Sequence, residues 1–351
     1  MVKKNLLLSL VIIFSIILAA CGSKETTQKE ADNKEKTDNA ELTYEQIIEN
    51  AKEERKLVVY GSSSPERFSV PEKAFEEEFG IDVEYIRAAG GDLANRVNAE
   101  FKSKKVLADV VFGGDHVMME NFNDSGFVEK VNFVSPETAE EVNKLSDIYT
   151  PVNLSPTGIV YDSTQMEEPK SWEDLLDPKL KGKIGIADPS LSNTLPALFL
   201  RLKDEYGEEF LKKLGEQVVI YDADPLVANN VVGRELIAGL SYSTIALPLI
   251  KGDASNTIKY TQDLDVTAGP MAAMTLLKER PNTYAGLLFM NWSMTIEGQK
   301  AWNGNFMGIT ALESVEVEGV SKPPAGYEVS DYKRAAEEKE EILELFNANR
   351  K

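Results

Sequence analysis

Short apolar runs, each followed by a small-residue turn and a helical pattern, recur along the chain. The run Leu57–Tyr60 indicates a strand, Gly61–Ser64 a turn, and the segment from Pro65 the start of a helix. Ile81–Ile86 alternates like a second strand, and Ala108–Phe112 indicates a third. This alternation of strand, loop and helix predicts an α/β fold in which helices cover a largely parallel sheet.

Local signals mark several helix ends. Thr43 and Gln46 have the spacing of a capping box, and Ser69 indicates a further helix start. We expect Gly80 to end that helix, because glycine readily adopts the left-handed conformation that closes a helix. The last segment, Ala335–Ala348, is expected to form a charged surface helix.

The strand-turn-helix design recurs further along the chain. Lys183–Ala187 indicates a strand, Asp188–Asn193 a polar turn, and Leu195–Lys203 a helix. This turn and the earlier turn Gly61–Ser64 both offer hydroxyls and backbone N–H groups at the carboxyl end of a strand, where open α/β sheets bind ligands. The two strand ends, about one domain apart, predict two lobes that face each other across a ligand. This arrangement favours a binding protein over an enzyme.

Chain length and two extended stretches define the lobes. At 351 residues the chain exceeds the usual size of a single core. Ile148–Tyr161 is extended and holds two prolines, which predicts a crossing between lobes, and the chain is expected to cross back near Leu264–Gly269. We predict lobe one from residues 42–152 plus 266–351, and lobe two from residues 153–265.

The N-terminus has the pattern of an export signal. Lys3 and Lys4 precede the apolar run Leu6–Ala20, which is short for a membrane-spanning helix. A charged start, an apolar centre and small residues at the end are typical of a secretory signal peptide. We therefore expect residues 1–20 to be removed and the mature protein to act outside the cytoplasm.

The end of this signal predicts an anchor. Leu18–Cys21 resembles a bacterial lipobox, so we expect Cys21 to carry lipid and to hold the protein at the membrane as a lipoprotein. The alternative is an ordinary signal peptide with an incidental cysteine. Residues 21–41 are almost free of apolar side chains and predict a disordered tether. Cys21 is the only cysteine, which excludes disulfides within the chain.

The charge balance limits the classes of partner. The formal net charge is −20, whereas nucleic acids and anionic membranes are bound by basic surfaces. We therefore expect no nucleic-acid partner. The ligand is not restricted in this way, because the field inside a cleft need not follow the net charge. We expect a monomer without a cofactor.

Four segments resemble one known family. Ser171–Ile184 (Ser-Trp-Glu-Asp-Leu-Leu-Asp-Pro-Lys-Leu-Lys-Gly-Lys-Ile) is similar to a signature of the bacterial extracellular solute-binding proteins. Leu57–Pro65, Ala108–Gly114 and Phe289–Gln299 add to the resemblance, which extends over most of the folded chain. The most similar group is the ferric-iron, phosphonate and phosphosugar type that serves ABC importers.

This resemblance implies a fold and a partner. The fold is the two-lobe periplasmic-binding-protein (type II, Venus-flytrap) fold, in which two crossover strands join α/β lobes that close over a solute by a hinge motion. The implied partner is an ABC permease that receives the solute. Within the signature, Ser171 is expected to cap a helix, and Trp172 and Leu175 to pack on lobe two.

The family's ligand-contacting positions carry over to four polar segments of this chain. Hydroxyls and backbone N–H groups at turns suit an oxyanion such as phosphate or carboxylate. The alternative is that these residues only cap helices and shape turns. The candidate ligand contacts are Ser62, Ser63, Ser64, Gly90, Gly91, Ser192, Asn193, Thr194, Tyr242, Ser243 and Thr244.

Ferric iron is the alternative cargo. Ferric-binding members of the family hold iron with two adjacent tyrosines, and Thr244 and Ile245 occupy those positions here. If iron were bound, Tyr242 and His116 would be the expected ligands, and a different tyrosine set, Tyr60, Tyr149, Tyr161 and Tyr221, is the alternative. His116 is also a candidate contact for another solute. We expect a phosphonate, a phosphosugar or a similar small anionic solute, and no resident metal.

Two other functional classes are alternatives. An exported hydrolase could be assembled on Ser62, His116 and Asp109, but the sequence has no Gly-x-Ser-x-Gly elbow around the serine. A surface adhesin or signalling lipoprotein would use the same fold to bind a partner protein. We predict a binding protein with no catalytic residues.

Overall fold

The computed structural model describes residues 42–88, 90–113, 116–191, 194–304, 308–316, 318, 320–322 and 324–350. They all fall within one compact unit, Asn39–Lys351. The predicted signal peptide, the lipidated Cys21 and the tether lie outside the described residues, and so do Ser192 and Asn193. No helix in the described ranges combines the length and apolar character needed to cross a bilayer.

Helices and strands alternate along most of this unit. The helices are α1 Tyr44–Glu54, α2 Pro65–Phe79, α3 Gly90–Ser103, α4 His116–Asp124, α5 Ala139–Val142, α6 Thr194–Tyr206, α7 Glu208–Gln217, α8 Asp224–Val232, α9 Ser243–Lys251, α10 Thr283–Ser293, α11 Ile296–Asn303, α12 Tyr332–Glu337 and α13 Lys339–Asn347. The strands are β1 Lys56–Gly61, β2 Asp82–Arg87, β3 Val110–Gly113, β4 Val128–Glu129, β5 Thr150–Leu154, β6 Thr157–Asp162, β7 Ile184–Ala187, β8 Val218–Tyr221, β9 Ala238–Tyr242, β10 Ile258–Thr261, β11 Thr267–Gly269, β12 Met271–Leu277 and β13 Tyr327–Val329.

The first sheet forms the centre of lobe one. Its strand order is β2-β1-β3-β12-β4, and β5 pairs with β12. The strands β1, β2 and β3 are parallel, as predicted, whereas β12 runs antiparallel to its neighbours. An apolar core that includes Phe75, Phe289 and Trp292 fills the space between this sheet and its helices.

The second sheet forms the centre of lobe two. Its order is β10-β6-β9-β7-β8, with β7 parallel to β8 and β9. Trp172 is fully buried in the core of this lobe, and its indole N–H donates to the Val266 carbonyl at 2.8 Å. Ser171 and Asp174 form a capping box ahead of that residue. The expected packing of the signature segment is therefore confirmed, and the two-lobe α/β fold is established.

Helix α2 is one continuous helix, whereas the sequence pattern indicates two successive helix starts. It starts at Pro65, directly after Ser64, and continues through Pro71 to Phe79. The helix start expected at Ser69 is therefore wrong. Pro71 removes one backbone donor from the helix, and burial of Phe68 on the same helix offsets that cost. The end of α2 is as expected, because Gly80 adopts a φ of 71°.

Two of the chain's crossings join the lobes through β5 and β12. β5 leads into β6, and β11 leads into β12. The crossing segments approach closely at Gly269, where a Cβ atom would lie 2.5 Å from the Ser155 carbonyl oxygen. A β-bulge between Ala272 and Ala273 shifts the register of β12 against β5.

The C-terminal segment crosses a third time, which corrects the predicted lobe boundary. The strand β13 pairs with β11, and the helices after it pack in the core of lobe two rather than lobe one. Phe346 is fully buried there and stacks on Phe199 with 4.9 Å between ring centres. Lys203 of α6 also binds Glu338 at 2.7 Å. The expected surface helix therefore has a buried apolar face, because Ile342 and Phe346 lie one turn apart.

Candidate functional site

A cleft of about 700 Å³ lies between the two sheets. Both lobes and the crossing strands contribute to its walls, so closure of the lobes would enclose a bound molecule. The described residues that line it are Ser62, Ser63, Ser64, Arg67, Phe68, Arg87, Phe112, Asn153, Ser155, Pro225, Tyr242, Thr244, Ile245, Pro270, Ala272 and Trp302. We refer to this space as the interlobe cleft.

The serine turn after β1 forms the wall of lobe one. The backbone N–H of Ser62 donates to the Phe112 carbonyl at 3.1 Å, and the Ser63 carbonyl accepts the Tyr85 hydroxyl at 2.9 Å. These bonds hold the turn at the start of α2. Ser64 precedes α2 without accepting a backbone hydrogen bond through its side chain. The partial positive charge of the N-terminus of α2 therefore faces a group of hydroxyls.

Two arginines beside this turn were missed by the sequence prediction. Arg67 lies in the first turn of α2, and Arg87 is the last residue of β2. Gly61 and Arg87 are register partners, so both strands end at the same edge. Burial lowers the pKa of the Arg67 guanidinium, because desolvation disfavours its charged form. The position of Arg67 directly after the serine turn was an available sequence signal, whereas the position of Arg87 depends on the pairing of β1 with β2.

The wall of lobe two is positioned by a carboxylate. Tyr242 ends β9, and Asp224, the first residue of α8, accepts its backbone N–H at 3.1 Å. The Ser241 hydroxyl also donates to Asp224. Burial raises the pKa of Asp224 to about 6, since desolvation exceeds the effect of both hydrogen bonds. Asp224 thus fixes the point at which the chain turns from β9 into α9.

The crossing strands form the floor of the interlobe cleft. Asn153 and Ser155 line it, and the Ser155 hydroxyl lies 2.8 Å from that of Thr244. The backbone N–H of Ser243 donates to Pro156 at 3.0 Å, and the Ser243 side chain is buried. Lobe two is therefore hydrogen-bonded to the crossing strands at the cleft itself. Asn153 and Ser155 lie in the predicted crossing, but nothing in the sequence pattern marked them as lining residues.

The structure brings together some of the candidates from the sequence and not others. Ser62, Ser63, Ser64, Tyr242 and Thr244 line one cleft, as their positions at strand ends require. The remaining candidates in the described ranges lie outside its lining: Gly90 and Gly91 are exposed in the first turn of α3, Ser243 is buried, and Thr194 is half-buried at the start of α6.

His116 lies in a different cavity from Tyr242. It begins α4, and its ring packs near Tyr149 and Tyr332, with ring centres 5.9 and 5.7 Å apart. The structure therefore does not bring together the two residues named as iron ligands. Among the described residues, no group of three or more histidine, cysteine or acidic side chains has metal-binding geometry.

The described lining of the interlobe cleft is positively charged. Its described residues include two guanidinium groups and no carboxylate side chain. Guanidinium groups, hydroxyls and amide groups together can donate many hydrogen bonds to an oxyanion. Phe68, Phe112 and Trp302 add apolar surface beside these donors. The arrangement can hold a small molecule that combines an anionic group with a carbon skeleton.

Sequence comparisons identify related proteins. Residues 105–220 match the family described as bacterial extracellular solute-binding protein. A protein of Haemophilus influenzae is 24% identical over 271 residues, which cover 70% of this chain and 75% of that protein. A thiamine-binding periplasmic protein of Brucella abortus is 29% identical over 38% of this chain, and a putative 2-aminoethylphosphonate-binding periplasmic protein of Salmonella typhimurium is 28% identical over 40%. The matched regions span about two fifths of these last two proteins.

Solved structures share the fold. Iron-bound HitA from Pseudomonas aeruginosa aligns with a TM-score of 0.66 at 20% identity, covering 84% of this chain and 99% of HitA. AfuA from Actinobacillus pleuropneumoniae, solved with fructose-6-phosphate, aligns with a TM-score of 0.62 at 21% identity, covering 84% and 98%. The matched family, the relatives and the shared two-lobe fold agree. The chain therefore resembles the bacterial extracellular solute-binding proteins over residues 105–220, and it shares its two-lobe fold with HitA and AfuA.

Proposed function

We propose that this protein captures a small organophosphorus anion, a phosphonate or a phosphosugar, in the interlobe cleft and delivers it to an ABC permease. The observation that carries the proposal is the pairing of Arg67 and Arg87 with the serine turn at the N-terminus of α2. This donor-rich wall lies in a chain of net charge −20. A local positive site in an acidic protein favours an anionic ligand, because short-range donors determine binding inside a cleft.

The size of the cleft supports an organic anion. About 700 Å³ is within the usual range of roughly 300–1,000 Å³ for small-molecule sites. Fructose-6-phosphate, bound in the AfuA structure, and 2-aminoethylphosphonate, after which the Salmonella relative is named, both carry a phosphorus oxyanion. Thiamine, after which the Brucella relative is named, carries a positive charge, which the two arginines disfavour.

Ferric iron is the second candidate and has weaker support. The fold is shared with iron-bound HitA, and Tyr242 lines the cleft. Tyr242 is the only phenol among the described lining residues, and they include no carboxylate or imidazole. Hard ferric iron prefers several anionic oxygen ligands, so a single tyrosine beside two cationic arginines is a poor site.

A ligand panel tests the proposal. Thermal unfolding is measured with 2-aminoethylphosphonate, fructose-6-phosphate, unphosphorylated fructose, thiamine and ferric citrate. A ligand that binds only the folded protein raises Tm by mass action. We expect at least one phosphorus compound to raise Tm, and fructose and thiamine to leave it unchanged. A shift with thiamine alone, or with ferric citrate together with a tyrosinate-to-iron absorption band, would refute the organophosphorus proposal.

We propose further that the protein acts as a monomeric lipoprotein outside the cytoplasm. The support is the lipobox-like Leu18–Cys21 after an export signal, with a polar tether that gives the folded lobes reach from the membrane. Metabolic labelling with a fatty acid tests this. The wild type is expected to incorporate label and to fractionate with membranes, and Cys21→Ala to do neither. Label retained in Cys21→Ala would contradict the assignment.

A further inference from the structure

A second cavity lies on the reverse side of the crossing strands. It encloses about 930 Å³, which exceeds the volume of the interlobe cleft. The pairing of β5 with β12 explains the position of the two spaces. Asn153 and Ala272 are register partners and line the cleft, whereas the next pair, Leu154 and Met271, lines the second cavity. Successive side chains of a strand point to opposite faces, so the same two strands separate the two spaces. We refer to the second space as the hinge cavity.

Apolar and aromatic side chains form most of its walls. Tyr149, Tyr327 and His116 supply rings, and Leu154 and Met271 supply aliphatic surface. Leu145 and Val329 also line it and are 47% and 39% exposed, although large apolar side chains of a folded protein are usually covered. When an apolar molecule displaces water from a concave space with this lining, the free energy of the system falls, so binding is favoured.

Two polar groups at the hinge cavity have no hydrogen-bond partner among the residues that the structure describes. Neither Nδ1 of His116 nor Oγ of Ser330 is hydrogen-bonded within the described part of the chain, although both atoms are buried. Buried polar groups are nearly always paired, so each unpaired group calls for an explanation. Ser330 lines the cavity, and its hydroxyl makes no hydrogen bond within the described residues that an occupant would have to replace. An occupant with one hydroxyl or amine group would then satisfy it.

The charged side chains at the rim are predominantly acidic, which disfavours an anion, and they are exposed, so that solvent weakens their attraction for a cation. Glu313 and Asp331 lie at the cavity with Lys322, which forms an ion pair with Glu316 at 3.0 Å. These groups do not provide the set of donors that distinguishes the interlobe cleft. The occupant of the hinge cavity therefore differs in chemistry from the transported solute.

We propose that the hinge cavity is a second binding site, for a small neutral aromatic molecule that carries one hydrogen-bonding group. The site contacts both crossing strands and the third crossing, through Leu154, Met271 and Tyr327. It is independent of the interlobe cleft and of the identity of the transported solute.

Methyl NMR with a matched pair of probes tests this proposal. Protein labelled with 13C at the methionine methyl groups is titrated with 4-fluorophenol and, separately, with fluorobenzene. We expect the Met271 signal to move saturably with both probes and the affinity for 4-fluorophenol to be about fivefold higher, since one hydrogen bond contributes about 1 kcal/mol. Met271→Leu identifies the signal. An unmoved Met271 signal up to the solubility limit of 4-fluorophenol would overturn the proposal.

Variants at the walls separate specific binding from surface association. Ala325→Trp, at an exposed lining position, is expected to fill the space and to abolish both titrations while Tm is retained. Ser330→Ala is expected to lower the affinity for 4-fluorophenol to that for fluorobenzene. Equal affinities of the two probes in the wild type would overturn the assigned hydrogen bond, and unchanged binding in Ala325→Trp would show that the probes bind elsewhere. Thermal shifts with phosphorus compounds on the same samples report the interlobe cleft separately.

Discussion

Two arginine side chains give the lining of the interlobe cleft its positive charge. The sequence prediction found the serine turn because small polar residues at a strand end have a known role at ligand sites. It missed Arg67 and Arg87, because charged side chains on a helix or at a strand end usually face solvent. Only the register of β1 with β2 shows that Arg87 ends beside the serine turn. Residue type and local spacing thus predict the turn, whereas the pairing of strands is needed to find the cations.

The first prediction concerns these cations. Arg67→Gln and Arg87→Gln are each expected to weaken binding of the phosphorus ligand about 10- to 100-fold, because a hydrogen bond to a charged group contributes about 1.5–3 kcal/mol. Isothermal titration calorimetry measures the loss. Arg201→Gln is the matched control, since Arg201 pairs with Glu205 and Glu328 outside the lining of the cleft. Equal affinity in all three variants would contradict the assignment.

The second prediction concerns a hydroxyl. Ser62→Ala is expected to weaken the same ligand about fivefold, the effect of one neutral donor. Thr194→Ala provides a direct comparison. Thr194 is a candidate contact from its sequence pattern, but it lies outside the described lining of the cleft, so this variant is expected to bind the ligand as the wild type does. An affinity unchanged by Ser62→Ala would mean that the serine turn only shapes the start of α2.

A buried carboxylate in lobe one gives a pH prediction. Asp109 is fully buried and accepts three N–H groups, from the Val58 backbone at 2.7 Å and from the Asn282 backbone and side chain at 2.8 and 2.9 Å. Burial nevertheless raises its pKa from 3.8 to about 6. The folded protein thus holds this proton more tightly than the unfolded chain. The contribution of protonated Asp109 to the free energy of unfolding is therefore fully present below about pH 4, and it is lost as the pH rises to 6.

Urea unfolding of the wild type and Asp109→Asn between pH 4 and 7 tests this linkage. The wild type is expected to be more stable, because the amide N–H₂ of the variant faces an N–H donor. The difference in the free energy of unfolding should narrow by up to about 3 kcal/mol from pH 4 to 6 and then stay constant. A difference that widens over this range would contradict the raised pKa.

At the scale of single elements, sequence patterns predicted the strand-turn-helix unit of β1 and α2 and the caps at Thr43 and Ser171. Capping depends on a few neighbouring residues, so it can be read from local sequence. The continuity of α2 through Ser69 was missed because Pro71 indicates a new helix start when only local propensity is considered. Tertiary burial of Phe68 decides that position instead.

The close approach of the crossing segments gives an element-scale prediction. Gly269→Ala is expected to lower the free energy of unfolding by about 1–3 kcal/mol, because its Cβ would lie 2.5 Å from the Ser155 carbonyl oxygen and 2.8 Å from Pro156 Cα. These are backbone atoms, which cannot move aside as a flexible side chain can. Gly91→Ala is the matched control, since no atom lies within 4 Å of its added Cβ. Urea unfolding compares the two, and equal stability would contradict the tight approach.

At the scale of the whole molecule, the sequence predicted two lobes but assigned the C-terminus to the wrong one. An amphipathic pattern shows that α13 has an apolar face, but not which core receives it. That choice depends on contacts of high sequence separation, such as Phe346 with Phe199 and Lys203 with Glu338. The third crossing therefore became visible only in three dimensions.

The packing of α13 gives a stability prediction for lobe two. Phe346→Ala is expected to lower the free energy of unfolding by about 3–5 kcal/mol, because it leaves a cavity beside Phe199. Glu344→Ala on the exposed face of the same helix should change it by less than about 0.5 kcal/mol. Chemical unfolding measures both. Similar values for the two variants would place α13 outside the core.

Native mass spectrometry of the protein purified from its producing cells, without dialysis, tests the central claim most directly. We expect a bound molecule whose fragmentation releases a phosphorus oxyanion, and its loss in the double variant Arg67→Gln, Arg87→Gln. A bound iron atom, a bound cation such as thiamine, or a phosphorus ligand that the double variant retains would contradict capture of an organophosphorus anion by the two arginines.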